Sequence, residues 1–335
     1  MKKIKKINYK EKFFVAGSKG MVGSAVCRIL KKHGYGSKEF GGEILTPTRN
    51  ALDLINEEEV KIWFKENRPT VVIIAAAKVG GIFANSSKPY DFLFENLKIQ
   101  NNIIEASFEN DVKRLLFLGS SCIYPKSCKQ PIKEEYLLSG KLEPTNEWYA
   151  IAKIAGIKLC QSLRSQHKFD AISLMPTNLY GPNDNYHPTN SHVMPALINK
   201  FINAKEKGLD TVTCWGTGTP LREFMHVDDL ASAILFCLEN WSPDDENAPL
   251  DNLGNPLTYL NVGTGSDITI KELSKLIAFE TNFKGEVKWD YDKPDGTKQK
   301  LLCIDKIKSL GWEPIIKLSD GIKRTISEIN KESFL

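Results

Sequence analysis

No stretch of this sequence narrows the possible folds more than residues 12–30. Lys12-Phe13-Phe14-Val15-Ala16 is a short apolar strand that runs directly into Gly-Ser-Lys-Gly-Met-Val-Gly at 17–23. Apolar residues then recur at Val22, Ala25, Val26, Ile29 and Leu30, the spacing of one helix face. Strand, glycine turn and helix in that order open a β-α-β unit. Such a turn lets the backbone approach a pyrophosphate closely, and the first helical turn offers its unpartnered N–H groups to the phosphate oxygens. Gly17, Ser18, Lys19, Gly20, Met21, Val22 and Gly23 are therefore expected to hold a dinucleotide. A glycine turn with only a structural purpose is the alternative, so the rest of the chain carries weight.

The alternation continues beyond a glycine-rich loop from Gly34 to Gly42. Glu43 to Pro47 reads as a second strand, Glu57 to Glu66 as a helix, and VVIIAAAKVGG (71–81) as a buried strand whose glycine-rich end lies at the cofactor edge. Asp91 to Asn110 is a long amphipathic helix and Leu115 to Gly119 the next strand. This pattern predicts an α/β fold, a doubly wound parallel sheet of Rossmann type with a smaller C-terminal α/β substrate lobe. Polar turn residues from Asn183 to Asn190 mark the expected change of domain. The expected division is 1–185, with 1–11 a basic tail, and 186–335, of which 222–242 and 258–263 return to the first domain. Trp241 to Pro256 reads as a surface loop.

At 335 residues, 41% apolar and 26% charged, the chain has the make-up of an ordinary globular protein. A net charge of +4, spread along the chain, argues against nucleic acid as the main partner and suits anionic small molecules. Lysines at 2, 3, 5, 6, 10 and 12 form a basic run without an apolar segment of signal type, read as a solvated tail. No run approaches the ~20 apolar residues of a membrane span. The seven cysteines lack metal-ligand spacing, so no metal and reduced thiols in the cytoplasm are expected.

The chemistry concentrates between Gly119 and Lys153. Tyr149 and Lys153 are four residues apart and share a helix face, where an ammonium beside a phenol favours the phenolate. Ser120 and Ser121 follow an apolar strand, and because side chains alternate, only one of them can face the same pocket. YxxxK also arises by chance on amphipathic helices. Near the second strand end stands Arg49, with Asp53 further on, where NAD-preferring proteins carry a carboxylate; Arg49, helped by Lys19, would pair with a 2′-phosphate, which points to NADP(H). Ala171 to Met175 is a strand ending at a proline, so Pro176 to Leu179 should form a loop over the nicotinamide. Three later stretches look functional: NSHVMP (190–195), with Ser191 as cap and His192 at a helix start; WGTGTPLREFMHVDDLA (215–231), with Asp228 and Asp229 capping a helix; and KPDGTKQKLL (293–302). Each taken singly also reads as a solvated loop.

Together, GSKGMVG, AAAKVGG, GSSCIYP, EPTNEWYAIAKIAG, MPTNLYGP, NSHV, GTPLREFMHVDDLA and KPDGT resemble the GDP-L-fucose synthase family of extended short-chain dehydrogenase/reductases over nearly the whole chain from about residue 12. The resemblance implies epimerisation of a GDP-4-keto-6-deoxy sugar at C3 and C5 followed by NADPH-dependent reduction at C4. It implies Ser120, Tyr149 and Lys153 for the reduction, and Cys122 and His192 for the epimerisation. It implies substrate contacts at Lys200, Trp215, Arg222 and Asp295. Cofactor contacts would come from the glycine turn, Arg49, Asp53, Leu54, Ala75, Ala76, Leu118, Gly119, Ser120, Ser121, Lys153, Pro176, Thr177, Asn178, Leu179 and His192. It also implies a homodimer built on the helices at 91–110 and 149–166. Ser18 and Lys19 depart from the family's histidine and arginine, and Lys200 stands where arginine is common. Read from its residues alone, Cys122 is better taken as an inert buried thiol, and only the resemblance gives it a role. A GDP-keto-heptose reductase and an NAD-retaining 4-epimerase are the neighbouring readings; Arg49 and Cys122 speak against the latter.

Overall fold

The structure, a computed structural model, describes residues 5–187, 191–293 and 295–332. Lys2 and Lys3 of the basic run, Pro188 to Asn190 at the expected domain change, and Pro294 lie outside the described residues.

The first half alternates as the apolar runs dictate: β1 (Lys12–Ala16), α1 (Met21–Lys32), β2 (Glu43–Leu45), α2 (Glu57–Asn67), β3 (Val71–Ile74), α3 (Ile82–Ser87), α4 (Pro89–Glu109), β4 (Arg114–Leu118), α5 (Glu147–His167) and β5 (Ala171–Pro176). There follow β6 (Asn178–Tyr180), α6 (Val193–Glu206), β7 (Thr211–Trp215), β8 (Leu221–His226), α7 (Val227–Asn240) and β9 (Tyr259–Val262). The chain continues through β10 (Asp267–Thr269), α8 (Ile270–Thr281), β11 (Glu286–Asp290), β12 (Gln299–Lys300), α9 (Asp305–Ser309) and α10 (Leu318–Glu332).

Six parallel strands form one sheet in the order β2-β1-β3-β4-β5-β9. The inner strands β3, β4 and β5 are buried throughout, as a sheet covered on both faces requires. α1 packs with α7 in one helical layer, while α4 packs with both α2 and α5 in another. The chain steps from β1 out to β2 and then back across to β3, and the crevice beyond the carboxyl ends of β1 and β3 is where ligands of such sheets bind. Two glycines set close approaches here. A Cβ on Gly17, whose φ is +82°, would stand 2.8 Å from the Ala76 backbone. One on Gly156 would stand 2.5 Å from the Phe117 ring, so α5 lies on the sheet only because that position is bare. Filling it would cost about 1–3 kcal/mol of overpacking.

The second core gathers Tyr180, Leu197, Ile198, Phe201, Phe224, Leu273 and Ile277 between α6, α8 and a small sheet in which β8 pairs with β6, β10 and β12. β7 and β11 pair separately. Met225, α7 and β9 contribute to the first core, and so do Leu302 to Trp312, a return that leaves no signature in the sequence.

Several local expectations are corrected. The strand expected over 71–81 stops at Ile74. Pro176 to Leu179 is not a loop: Pro176 still pairs with Val262, and Asn178 begins β6 beside β8. Ser191 is no cap; His192 takes the cap position of α6 and makes no side-chain capping bond. At α7 the cap is His226, whose ring accepts from the Asp228 N–H, with Asp228 and Asp229 inside the first turn. Trp241 is 0% exposed, so the surface loop begins with a core residue whose carbonyl accepts from buried Arg114. The described part of the basic run is tied down at Lys6 and Ile7: Lys6 N–H donates to the Glu239 carbonyl, Lys6 Nζ reaches Asp245 at 2.7 Å, and Ile7 is buried.

Candidate active site

A cavity of about 870 Å³ opens at the carboxyl ends of the sheet strands. Its wall includes the whole glycine turn, Arg49, Asp53, Leu54, Ala75, Ala76, Leu118, Gly119, Ser120, Ser121, Cys122, Tyr149, Lys153, Pro176 to Leu179 and His192. The reduction set, the Cys/His pair and the dinucleotide turn thus meet in one space.

The cavity suits a dinucleotide phosphate. The N-cap of α1, Gly20, carries no capping side chain, and no acidic residue sits in the first turn. The N–H groups there are left for an anion. Pro47, Thr48 and Arg49 follow β2 into the cavity wall, and neither Arg49 nor Lys19 is held in an ion pair among the described residues. Asp53 is occupied differently, with its carboxylate accepting from the Ile55 N–H at 3.1 Å.

Lys153, 3% exposed, donates from Nζ to the Leu118 carbonyl at 2.8 Å and lies 5.7 Å from the Tyr149 ring centre. Burial holds its ammonium down at about 8. Tyr149 differs from expectation. Desolvation and the neighbouring Cys122 push its phenol above the ordinary value, against a smaller lowering by its hydrogen bond with Ser120. Burial is the largest of these effects, so Tyr149 rests protonated. Ser120, not buried Ser121, is the serine bonded to it, and Ser120 Oγ also accepts the Cys122 N–H at 3.2 Å.

Cys122 lies in the short turn after β4, and its sulfur accepts from Asn146 Nδ2 at 3.3 Å and from Lys300 Nζ at 3.6 Å. His192 lines the same cavity; desolvation first, and the Lys300 charge second, hold its imidazole below the ordinary value. Asn146 and Lys300 escaped the sequence reading. Asn146 had no signal beyond lying three residues before Tyr149, and Lys300 was one lysine among several in a polar turn.

Lys200, Trp215, Arg222 and Asp295 do not line this cavity but gather in the second lobe. The Trp215 ring, 60% exposed, has Lys200 Nζ 5.3 Å from its centre and Lys293 Nζ 5.7 Å away. Asp295 accepts from Thr217 N–H and Oγ1 at 2.7 and 2.8 Å, fixing the turn after Trp215. Arg222 feels the charges of Glu143 and Asp295 and pairs in register with Lys300 across β8 and β12, linking this cluster to the Cys122 end.

A doubly wound sheet with an open glycine turn and a Ser/Tyr/Lys set at its switch point defines a dinucleotide-dependent enzyme of the short-chain dehydrogenase type. The chain belongs to the NAD dependent epimerase/dehydratase family, whose pattern matches residues 13–249. It is 52% identical to GDP-L-fucose synthase 1 of Arabidopsis thaliana, covering 94% of this chain and 91% of that one. It is 49% identical to GDP-L-fucose synthase of Escherichia coli K12, covering 94% and 95%. Among solved structures it is similar to the GDP-mannoheptose C4 reductase MlghC of Campylobacter jejuni with NADP bound, at 37% identity and a TM-score of 0.84, covering 97% and 99%.

Proposed function

We propose that this chain converts GDP-4-keto-6-deoxy-D-mannose to GDP-L-fucose by epimerisation at C3 and C5 and NADPH-dependent reduction at C4. One observation carries the reading: Cys122 and His192 line the same cavity as Ser120, Tyr149 and Lys153, and a reductase alone needs only the latter three. Two relatives near half identity over almost the full chain bear the name of that activity.

NADP(H) is the cofactor; the α1 N-terminus would hold its pyrophosphate, and Arg49 and Lys19 would hold its 2′-phosphate. When bound, it supplies the hydride for C4. The chain's own groups do the rest. Hydrogens at C3 and C5 are acidic because they flank the C4 carbonyl; as one leaves, the Ser120 and Tyr149 hydroxyls can hold the enolate oxygen by hydrogen bonding. Cys122 and His192 take the proton and return one on the opposite face. With its imidazole held below the ordinary value, His192 is neutral at pH 7 and free to accept. Tyr149 keeps its proton until an alkoxide forms at C4, which suits a donor in a reduction. Trp215, Lys200, Arg222 and Asp295 serve the GDP end.

Incubation with GDP-4-keto-6-deoxy-D-mannose and NADPH, followed by identification of the sugar, tests this. GDP-L-fucose is expected; a 4-hydroxy sugar with unchanged C3 and C5 would leave a reductase only. NADPH should also bind better than NADH, with Arg49→Ala narrowing the gap by about tenfold or more, on the scale of one lost charge-assisted phosphate contact. Equal wild-type affinities would remove Arg49 from this role.

No helix among the described residues is long and apolar enough to cross a membrane. The seven free thiols suit a reducing compartment, and the cytoplasm is the location we assign. A homodimer is supported by the apolar side chains that α4 and α5 leave exposed, among them Tyr90, Phe94, Trp148 and Ile151. A one-chain mass by light scattering at micromolar concentration would exclude it.

A further inference from the structure

We propose that Lys300 is the positioning residue of the epimerase half of the site, holding the Cys122 sulfur as a thiolate on whichever side of the proton transfer that anion falls. The proposal rests on the epimerase role given to Cys122 above. Lys300 Nζ and Asn146 Nδ2 both donate to Sγ, at 3.6 and 3.3 Å. Two N–H donors aimed at one sulfur suit lone pairs on an anion better than a thiol that has a hydrogen of its own to place.

The lysine is built in rather than draped across the site. Its flanking backbone is pinned: Leu301 N–H donates to Gln130 at 2.8 Å, Leu302 N–H to buried Glu223 at 3.0 Å, and β12 pairs with β8 through Gln299 and Lys300. Gln299 in turn donates to Asp267 at 2.8 Å. No carboxylate is paired with Lys300 among the described residues, and its ammonium donates to the Cys122 sulfur.

The lysine has the same effect for either direction of proton transfer. If Cys122 takes a proton from C3 or C5, it begins as S⁻ and ends as S–H, with the C–H electron pair passing into the enolate. If it returns one, the S–H bond breaks toward carbon and its electron pair stays on sulfur. A fixed ammonium favours the S⁻ side in either case. The same charge disfavours imidazolium at His192. One lysine therefore biases the pair toward thiolate and neutral imidazole. Around the sulfur, Tyr149 of α5 feels the Cys122 charge and neutral Asn146 donates to Sγ, while Ser120 Oγ takes the Cys122 N–H; Cys128 and His192 also feel Lys300, and Arg222 stands beside it on β8.

Iodoacetamide, an uncharged reagent, alkylates thiolates, and mass spectrometry of the Cys122 peptide reads the rate without sugar or cofactor. At pH 7.5 Lys300→Met should alkylate about tenfold more slowly than the wild type, and Lys300→Arg within about twofold of it, because the charge is kept. Exchange of the C3 and C5 hydrogens with solvent deuterium should fall in the same order, with NADPH affinity unchanged. Wild-type alkylation in Lys300→Met overturns the proposal even where exchange falls, since the lysine would then be touching the sugar instead. Where Lys300→Met does not fold, the wild-type profile decides: half-maximal alkylation of Cys122 below the ordinary thiol value of ~8.5 supports it, and at or above that value overturns it. Failure of the epimerase reading shows separately, as undiminished deuterium exchange in Cys122→Ser.

Discussion

Tyr149→Phe is expected to lower NADPH oxidation by on the order of 10²-fold or more, the scale of a lost general acid. The substitution removes one oxygen from a half-buried ring, leaving α5 and the Lys153 bond to Leu118 in place. Binding of NADPH should therefore stay close to wild type. Deuterium exchange at C3 and C5 should also slow, because the phenol helps hold the enolate oxygen, but by less than reduction does, since Ser120 remains as a donor to the same atom. Stopped-flow oxidation of NADPH beside exchange measured without NADPH separates the two effects. A variant that reduces at the wild-type rate would take the proton-donor role away from Tyr149.

Cys122→Ser should show the opposite pattern. A serine hydroxyl is a far weaker acid than a thiol, so neither Asn146 nor Lys300 can draw an anion from it at neutral pH. Exchange at C3 and C5 should fall by on the order of 10²-fold or more, while NADPH binding holds. Net turnover of the 4-keto-D-mannose substrate to the L-sugar falls with exchange, because the reduction is supplied with less epimerised ketone. Exchange at the wild-type rate would leave the chain a reductase.

The cofactor half of the cavity was legible because its signals are local. Phe13 to Ala16, the three glycines and the apolar face of α1 lie within twenty residues, and the geometry they specify depends on little beyond them. Tyr149 and Lys153 were legible for the same reason, being one helical turn apart. The effect of that pair was not: the expected phenolate gives way to a retained proton because burial, which no spacing reveals, raises the phenol most. Ser191 and Asp228 were misread as caps because His192 and His226 take those positions, and histidine is no usual capping residue.

The sequence by itself determined the strand and helix alternation of the first half, the glycine turn between β1 and α1, the cation that follows the second strand and the pairing of Tyr149 with Lys153 on one helix face, all of them written in short-range patterns. Only the tertiary structure decided which serine meets Tyr149, that Trp241 is core rather than loop, that Lys5 and Lys6 are paired, and that Lys300 reaches Cys122 across 178 residues. Those facts turn on the register of β12 against β8 and on which distant segments share one side of a cavity. Such relations are set by the packing of whole elements, and a chain read residue by residue carries no local mark of them.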